Sequence, residues 1–283
     1  MPLPQPIFVQ KPAKPGAPPT IAADGSVEGC SIIYAPKGQA AEYAPLAVNL
    51  YRGCGHQCAY CYVPLITKSD RAVFDQGAVI RGDILDKLRR DAVKYQAAWV
   101  KSQIMFSFTT DPYPPQHHKA TRMALQILAE HDLAFCTLTK GGTRALRDID
   151  LFDPKKDAFA STMTSLDDDF SRKWEAGAAL PGDRIKALRT FHDKGIFTWV
   201  SLEPTINVEA SLKILQETHE FVDLYKIGRV NYMGITQTTD WKGYTLKMIE
   251  LVQKLGVKHY FKRDLQKYLP EGYYNPLRVP QHN

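Results

Sequence analysis

Three cysteines fall within eight residues, Cys54, Cys58 and Cys61, at spacing Cys-x3-Cys-x2-Cys. Thiolates bind soft metals, and cysteine runs with two to four residues between ligands wrap several sulfurs round one iron–sulfur cube. A [4Fe–4S] cube offers one more iron than this motif has cysteines, so one corner is left open to a small molecule. An open iron is a reactive centre. A structural zinc would want four closed ligands, usually as two separated pairs, and the chain carries no second pair. His56 could in principle be a fourth ligand, but it stands between two cysteines that must already point inward. Five cysteines in 283 residues do not make a disulfide scaffold.

Such a loop needs a rigid frame, and the chain downstream has regular punctuation. Residues 47–51 read as a strand running into the cysteines. Residues 82–98 carry Ile84, Leu85, Leu88, Ala92, Val93 and Tyr95 near a 3.6-residue period, the pattern of a helix packed on a sheet. Strands are expected over 103–109, 133–139, 158–163, 196–202, 222–228 and 257–261. Helices are expected over 118–131, 141–151, 181–194, 208–218 and 244–255. Alternating strand and helix imply a parallel sheet with right-handed crossovers. Periodicity alone fits an open barrel or a doubly wound sheet equally. Both place reactive groups at the carboxyl ends of strands.

The motif and its surroundings resemble a known family. The three-cysteine pattern with Tyr60 before the last cysteine is similar to that of radical S-adenosylmethionine (SAM) enzymes. Tyr51-Arg52-Gly53-Cys54 and Cys61-Tyr62 are similar to the spore photoproduct lyase-like branch, and further phrases extend the likeness over roughly residues 45–230. The resemblance implies a partial (β/α)6 barrel in an α/β protein, a [4Fe–4S] cluster at Cys54, Cys58 and Cys61, and SAM on the open iron. It also implies reductive cleavage of SAM to a 5′-deoxyadenosyl radical that abstracts hydrogen from a substrate.

The same resemblance assigns the strand ends. Thr109, Thr110 and Asp111, in a Thr-Asp-Pro-Tyr phrase, take the SAM amino group; the bland alternative is a turn cap before proline. Lys140 takes the SAM carboxylate and Ser161 offers a hydroxyl to the cofactor. Glu175, Pro181 and Arg184 match a family stretch that makes Arg184 a second partner for the carboxylate, with a solvated helix-start arginine as the equal alternative. Strand alternation puts Cys136 and Lys140 on one face. Glu203 sits at a later strand end as a substrate contact; Lys226, Arg229, Asn231, Lys262 and Arg263 are a basic group able to hold phosphate or carboxylate. Spore photoproduct lyases place a hydrogen-donating cysteine where this chain has Phe108, so the usual repair route is in doubt unless Cys136 or a tyrosine such as Tyr62 substitutes.

Composition bounds the rest. Lysine and arginine total 36 against 30 aspartates and glutamates, a net charge of +6 that permits a nucleic-acid partner without requiring one. A thymidine-derived base in DNA is the expected substrate class, by analogy. RNA, a peptide or a small metabolite is the alternative, and a non-catalytic metal-binding module the alternative of another class. A flavodoxin or ferredoxin is the expected electron donor. No stretch approaches a membrane span, the N-terminus lacks a leader pattern, and a cytoplasmic protein with reduced thiols is expected. Prolines at 2, 4, 6, 12, 15, 18, 19, 36 and 45 make residues 1–46 an extended arm that wraps the barrel, crosses to a partner or stays unstructured. Cys30 within it reads as a small apolar residue. Residues 47–235 form the core barrel and 236–283 an extension completing it.

Overall fold

The computed structural model describes residues 19–116, 119–231 and 233–275. The first 18 residues of the expected arm, His118 at the expected start of a helix, and residues 276–283 of the extension lie outside the described residues. Strands β1 (Leu46–Val48), β2 (Tyr51–Arg52), β3 (Val79–Ile80), β4 (Ile104–Phe106), β5 (Phe135–Thr139), β6 (Ala158–Thr162), β7 (Phe197–Leu202), β8 (Leu224–Ile227) and β9 (His259–Phe261) follow in chain order. The helices are α1 (Val63–Thr67), α2 (Arg71–Asp75), α3 (Ile84–Ala97), α4 (Lys119–Glu130), α5 (Asp168–Trp174), α6 (Pro181–Asp193), α7 (Val208–Thr218), α8 (Ile235–Thr238), α9 (Trp241–Leu255) and α10 (Arg263–Gln266).

Seven strands form one parallel sheet in the order β1-β4-β5-β6-β7-β8-β9, curled into a half-barrel. It has one strand more than six β/α units supply. The period-two alternation of each strand sorts the side chains. Ile104, Phe106, Phe135, Phe159, Val200, Leu202 and Ile227 face outward into a core shared with the helices. Met105, Cys136, Ala158, Ala160, Trp199 and Leu224 face inward and make a second, smaller cluster. Alanines on the inner face leave room for the rings of Trp199 and Tyr43.

The chain departs from the expected pattern in places, and in the arm it selects one of the expected alternatives. Residues Gly142–Leu151 form a 3-10 segment instead of an α-helix. Its middle is held by Asp148, fully buried and bonded to Arg147 and Arg122, so tertiary contacts set its pitch. Beyond the cysteines, α1, α2 and the antiparallel pair β2–β3 make a small lobe that periodicity is too short to reveal. The arm, from residue 19 onward, belongs to the barrel. Asp91 of α3 accepts the N–H groups of Ser31, Ile32 and Ile33, and Tyr34 bridges Ala47 antiparallel. A 3-10 turn over Gly38–Glu42 then crosses from the β1 edge to the β9 edge, where Glu42 Oε2 accepts from Arg263 N at 2.6 Å and Tyr260 Oη at 3.2 Å. Of the alternatives open in the sequence, these residues wrap the barrel. Cys30 packs against the outer core, as a small apolar side chain does.

Candidate active site

The cysteine loop leaves β2 through Gly53, at φ +72°, where a Cβ would overlap the Gly77 carbonyl oxygen. Only glycine fits this left-handed approach. The loop is then clamped from both sides. Cys54 N–H donates to Phe74 O at 2.8 Å, Ala59 N–H to Trp174 O at 2.8 Å, and Arg71 to Cys58 O at 2.6 Å. Gly177 N–H donates to His56 O at 3.0 Å, and a Cβ on Gly177 would overlap Gly55 O. Tyr60 donates its hydroxyl to Glu175, whose other oxygen binds Arg184.

The three cysteines line a cavity of about 670 Å³ at the carboxyl ends of the strands. Tyr60, Tyr62, Thr109, Thr110, Asp111, Lys140 and Glu203 line it too. These seven therefore gather as the sequence places them, although they come from the cysteine loop, β4, β5 and β7. Phe108 is part of the same wall, with its ring centroid 6.0 Å from that of Tyr43.

Five expected residues lie outside that wall, among them Lys226, which is buried, and Arg263 of the basic group. Ser161 points to the outer face with its neighbour across the ladder, Thr139, and its hydroxyl donates to Thr139 O at 3.0 Å. The next residue, Thr162, has the inward parity and lines the cavity in its place. Cys136 does face inward, but two residues below Leu138 it is buried in the inner cluster, accepting Trp199 Nε1–H at 3.2 Å. Burial pushes its thiol up to about 12. Arg184 is 1% exposed and its guanidinium is committed to Ala179 O, Thr162 O and Glu175. It braces the wall behind Tyr60 and has no open face toward SAM.

Asp111 is a hub. Its Oδ1 accepts from Thr139 Oγ1 at 2.5 Å and Tyr113 N at 2.8 Å; its Oδ2 accepts from Lys140 N at 2.8 Å and faces His56 Nδ1 at 3.3 Å. A carboxylate has about four acceptor positions, and all are taken. Burial alone would raise its pKa, but the hydrogen bonds it receives from His56, Thr139 and Lys140 hold it below the usual carboxylate range. Arg144 lies 2.8 Å from His56 Nε2. A guanidinium only donates, so Nε2 holds a lone pair and the ring proton sits on Nδ1, toward Asp111. Both nitrogens of His56 are thus engaged away from any metal.

The sequence points to Thr110 but not to Ser107. Ser107 Oγ is buried without a partner among the described residues, as is Thr110 Oγ1, and both residues line the cavity. Ser107 carries no signal in the sequence; its exposure to the site follows from the β4 terminus. Lys37, Gln39 and Tyr43 reach the cavity from the arm. No signal in the sequence singles these residues out, since residues 37–44 lack proline but so do residues 20–35.

The donor set fits an iron–sulfur cube. Burial pushes the thiols of Cys54 and Cys58 up to about 12 and 11, and that of Cys61 upward as well. Thiolates in this pocket need compensating positive charge, which iron supplies. Among the described residues no three His, Cys, Asp or Glu side chains converge as round a single metal ion; a cube takes its thiolates at separate corners. The unpartnered Thr110 and Ser107 hydroxyls await the polar atoms of a ligand beside it.

A family model described as the radical SAM superfamily matches residues 48–222, more than half of the chain, and the chain belongs to that superfamily. It is a radical SAM enzyme with a [4Fe–4S] cluster and SAM as its cofactors. An uncharacterized protein of Acidianus two-tailed virus is 26% identical over 239 residues, which cover 80% of this chain and 78% of that one. An uncharacterized protein of Mycobacterium tuberculosis is 25% identical over 202 residues, and the match spans 68% of this chain and 56% of the relative. Among solved structures, a spore photoproduct lyase variant with a dinucleoside spore photoproduct superposes with a TM-score of 0.63 at 15% identity over 88% of each chain. Streptococcus suis SuiB bound to S-adenosylmethionine gives 0.59 at 12% identity, covering 81% of this chain and 53% of SuiB. Likeness at such identity concerns the fold. No helix among the described residues is long and apolar enough to cross a membrane.

Proposed function

We propose that this enzyme abstracts hydrogen from a thymidine-derived base in DNA and so rearranges or modifies that base. The observation that carries the reading is the fold match over 88% of both chains to a lyase that holds a dinucleoside photoproduct. The cavity, at about 670 Å³, is of the size that takes small ligands, ~300–1,000 Å³.

When bound, the cluster and SAM supply a 5′-deoxyadenosyl radical able to remove hydrogen from a C–H bond. The chain's part is holding and excluding. Cys54, Cys58 and Cys61 grip the cube. Thr109 and Thr110 accept from the SAM ammonium group, with Asp111 fixing their turn instead of binding directly, and Lys140 faces the carboxylate. Tyr60, tied to Glu175, and Phe108 are walls that keep water from the radical. Glu203, paired with Lys262 and accepting from Tyr43 at 2.5 Å, borders the substrate side. With Phe108 in the wall and Cys136 below it, Tyr62 is the hydrogen donor we assign for any product that needs one. Electrons come from a flavodoxin or ferredoxin, and a cytoplasmic setting keeps the three thiols reduced.

The test is nucleoside mass spectrometry of DNA from cells with and without the protein. An altered thymidine-derived nucleoside appearing only with the protein is expected. Unaltered DNA, together with 5′-deoxyadenosine formed in the presence of RNA or peptide, would move the substrate to that class.

A further inference from the structure

The cavity spans the sheet. Its cysteine end belongs to the β1 edge, whereas Arg229 and Asn231 follow β8 and Lys262 follows β9 at the other edge. Lys262 is offset by Glu203. Among the described residues Arg229 has one ion-pair partner, Asp264, 3.8 Å from its Nε. That distance is beyond a hydrogen bond, and Nε is buried with no hydrogen-bond partner among the described residues. Asp264 Oδ2 is already used, accepting from Gln39 at 2.8 Å and Asn231 at 2.9 Å. Lys37, on the arm, lines the same cavity, and among the described residues its ammonium makes no ion pair. Asp111 and Glu203, the carboxylates that line the cavity, are committed elsewhere.

We propose that Arg229, helped by Lys37, is the binding site for a phosphate group of the substrate, so that the enzyme takes a phosphate-bearing nucleotide unit and not a free nucleoside. This rests on the DNA reading above and adds the group that positions the base. A guanidinium presents a planar fork of donors that matches two phosphate oxygens. An arginine that lines a cavity without a hydrogen bond is a preorganised donor for such an anion. Lys37 adds a point charge from an exposed position. The same geometry separates the two anions of the site: Lys140 after β5 faces the SAM carboxylate, and Arg229 after β8 faces the phosphate.

The experiment uses reconstituted full-length protein with SAM bound, and compares dithymidine phosphate with its neutral methylphosphonate analogue by equilibrium binding. Wild type is expected to prefer the charged linker by at least about tenfold. Arg229→Ala should abolish the preference while leaving SAM affinity within about twofold, and Lys37→Ala, at an exposed site, should reduce the preference about threefold. Equal binding of both linkers by wild type, or a loss of SAM affinity in Arg229→Ala equal to the loss for the dinucleotide, overturns the proposal. If wild type binds neither linker, the DNA reading fails on its own account and inorganic phosphate decides the anion site. Phosphate binding weakened about tenfold by Arg229→Ala then supports it, and no phosphate binding sinks it.

Discussion

At the scale of single residues, the site divides into groups that meet ligands and groups that hold those in place. Cys58 is of the first kind. It is the most buried of the three thiols, and its backbone carbonyl is tied to Arg71. Cys58→Ala should drop iron from about four per chain to less than about one after anaerobic reconstitution, and abolish 5′-deoxyadenosine formation. A variant that keeps iron and cleaves SAM would refute the ligand set. Asp111 is of the second kind. In Asp111→Asn an amide must sit where the carboxylate receives donors from Thr139, Tyr113, Lys140 and His56. At least one buried donor loses its acceptor, at about 1–3 kcal/mol. A lower Tm with iron retained and SAM affinity weakened about tenfold is expected, the last figure being 1.4 kcal/mol of the same order. Iron lost outright would instead place Asp111 in the cluster's support.

At the scale of elements, the cysteine loop has little secondary structure of its own and takes its form from α2 on one side and from the end of α5 and the segment after it on the other. At Gly177 that segment meets Gly55 backbone against backbone. Gly177→Ala has no side chain to push aside, so the loop itself must shift; overpacking of this kind costs about 1–3 kcal/mol. Iron content after reconstitution should fall while the helical circular dichroism is unchanged. Full iron loading in that variant would mean the loop adapts freely. The strands teach a related lesson. Their existence is legible in runs such as 133–139 and 196–202, close to β5 and β7 as observed. Which hydroxyl of β6 faces the cavity is not, because a shift of one residue exchanges the two faces, and so Thr162, not Ser161, lines the cavity.

At the scale of the whole molecule, the arm closes the half-barrel and Lys226 holds it there. This lysine is fully buried, donates to Tyr43 O at 2.6 Å and Glu42 O at 3.3 Å, and lies 4.6 Å from the Trp199 ring centroid. Burial brings its pKa down to about 7 from an ordinary 10.5. The folded state therefore releases this proton at lower pH than the unfolded chain does, and stability rises with pH above about 7. The difference in unfolding free energy between wild type and Lys226→Met should shift toward wild type by about 1–2 kcal/mol between pH 7 and pH 9. Parallel curves, measured by denaturant titration, would show that the amine titrates normally.

The amino-acid sequence by itself determined the chemistry of this protein and the alternation that carries it. Ligand spacing and periodicity are local properties, so Cys54, Cys58 and Cys61 and most strands and helices could be read directly. Depth, strand parity and partnership are long-range properties. Only the packed sheet decided that Cys136 lies beneath the cavity, that Arg184 is spent on Glu175, that Asp111 is saturated, and that the arm supplies Lys37 and Tyr43 to the site. Some of these contacts span most of the chain, as Tyr43 and Glu203 do across 160 positions, and even where the partners are near in sequence, as Arg184 and Glu175 are, only packing brings the two side chains together.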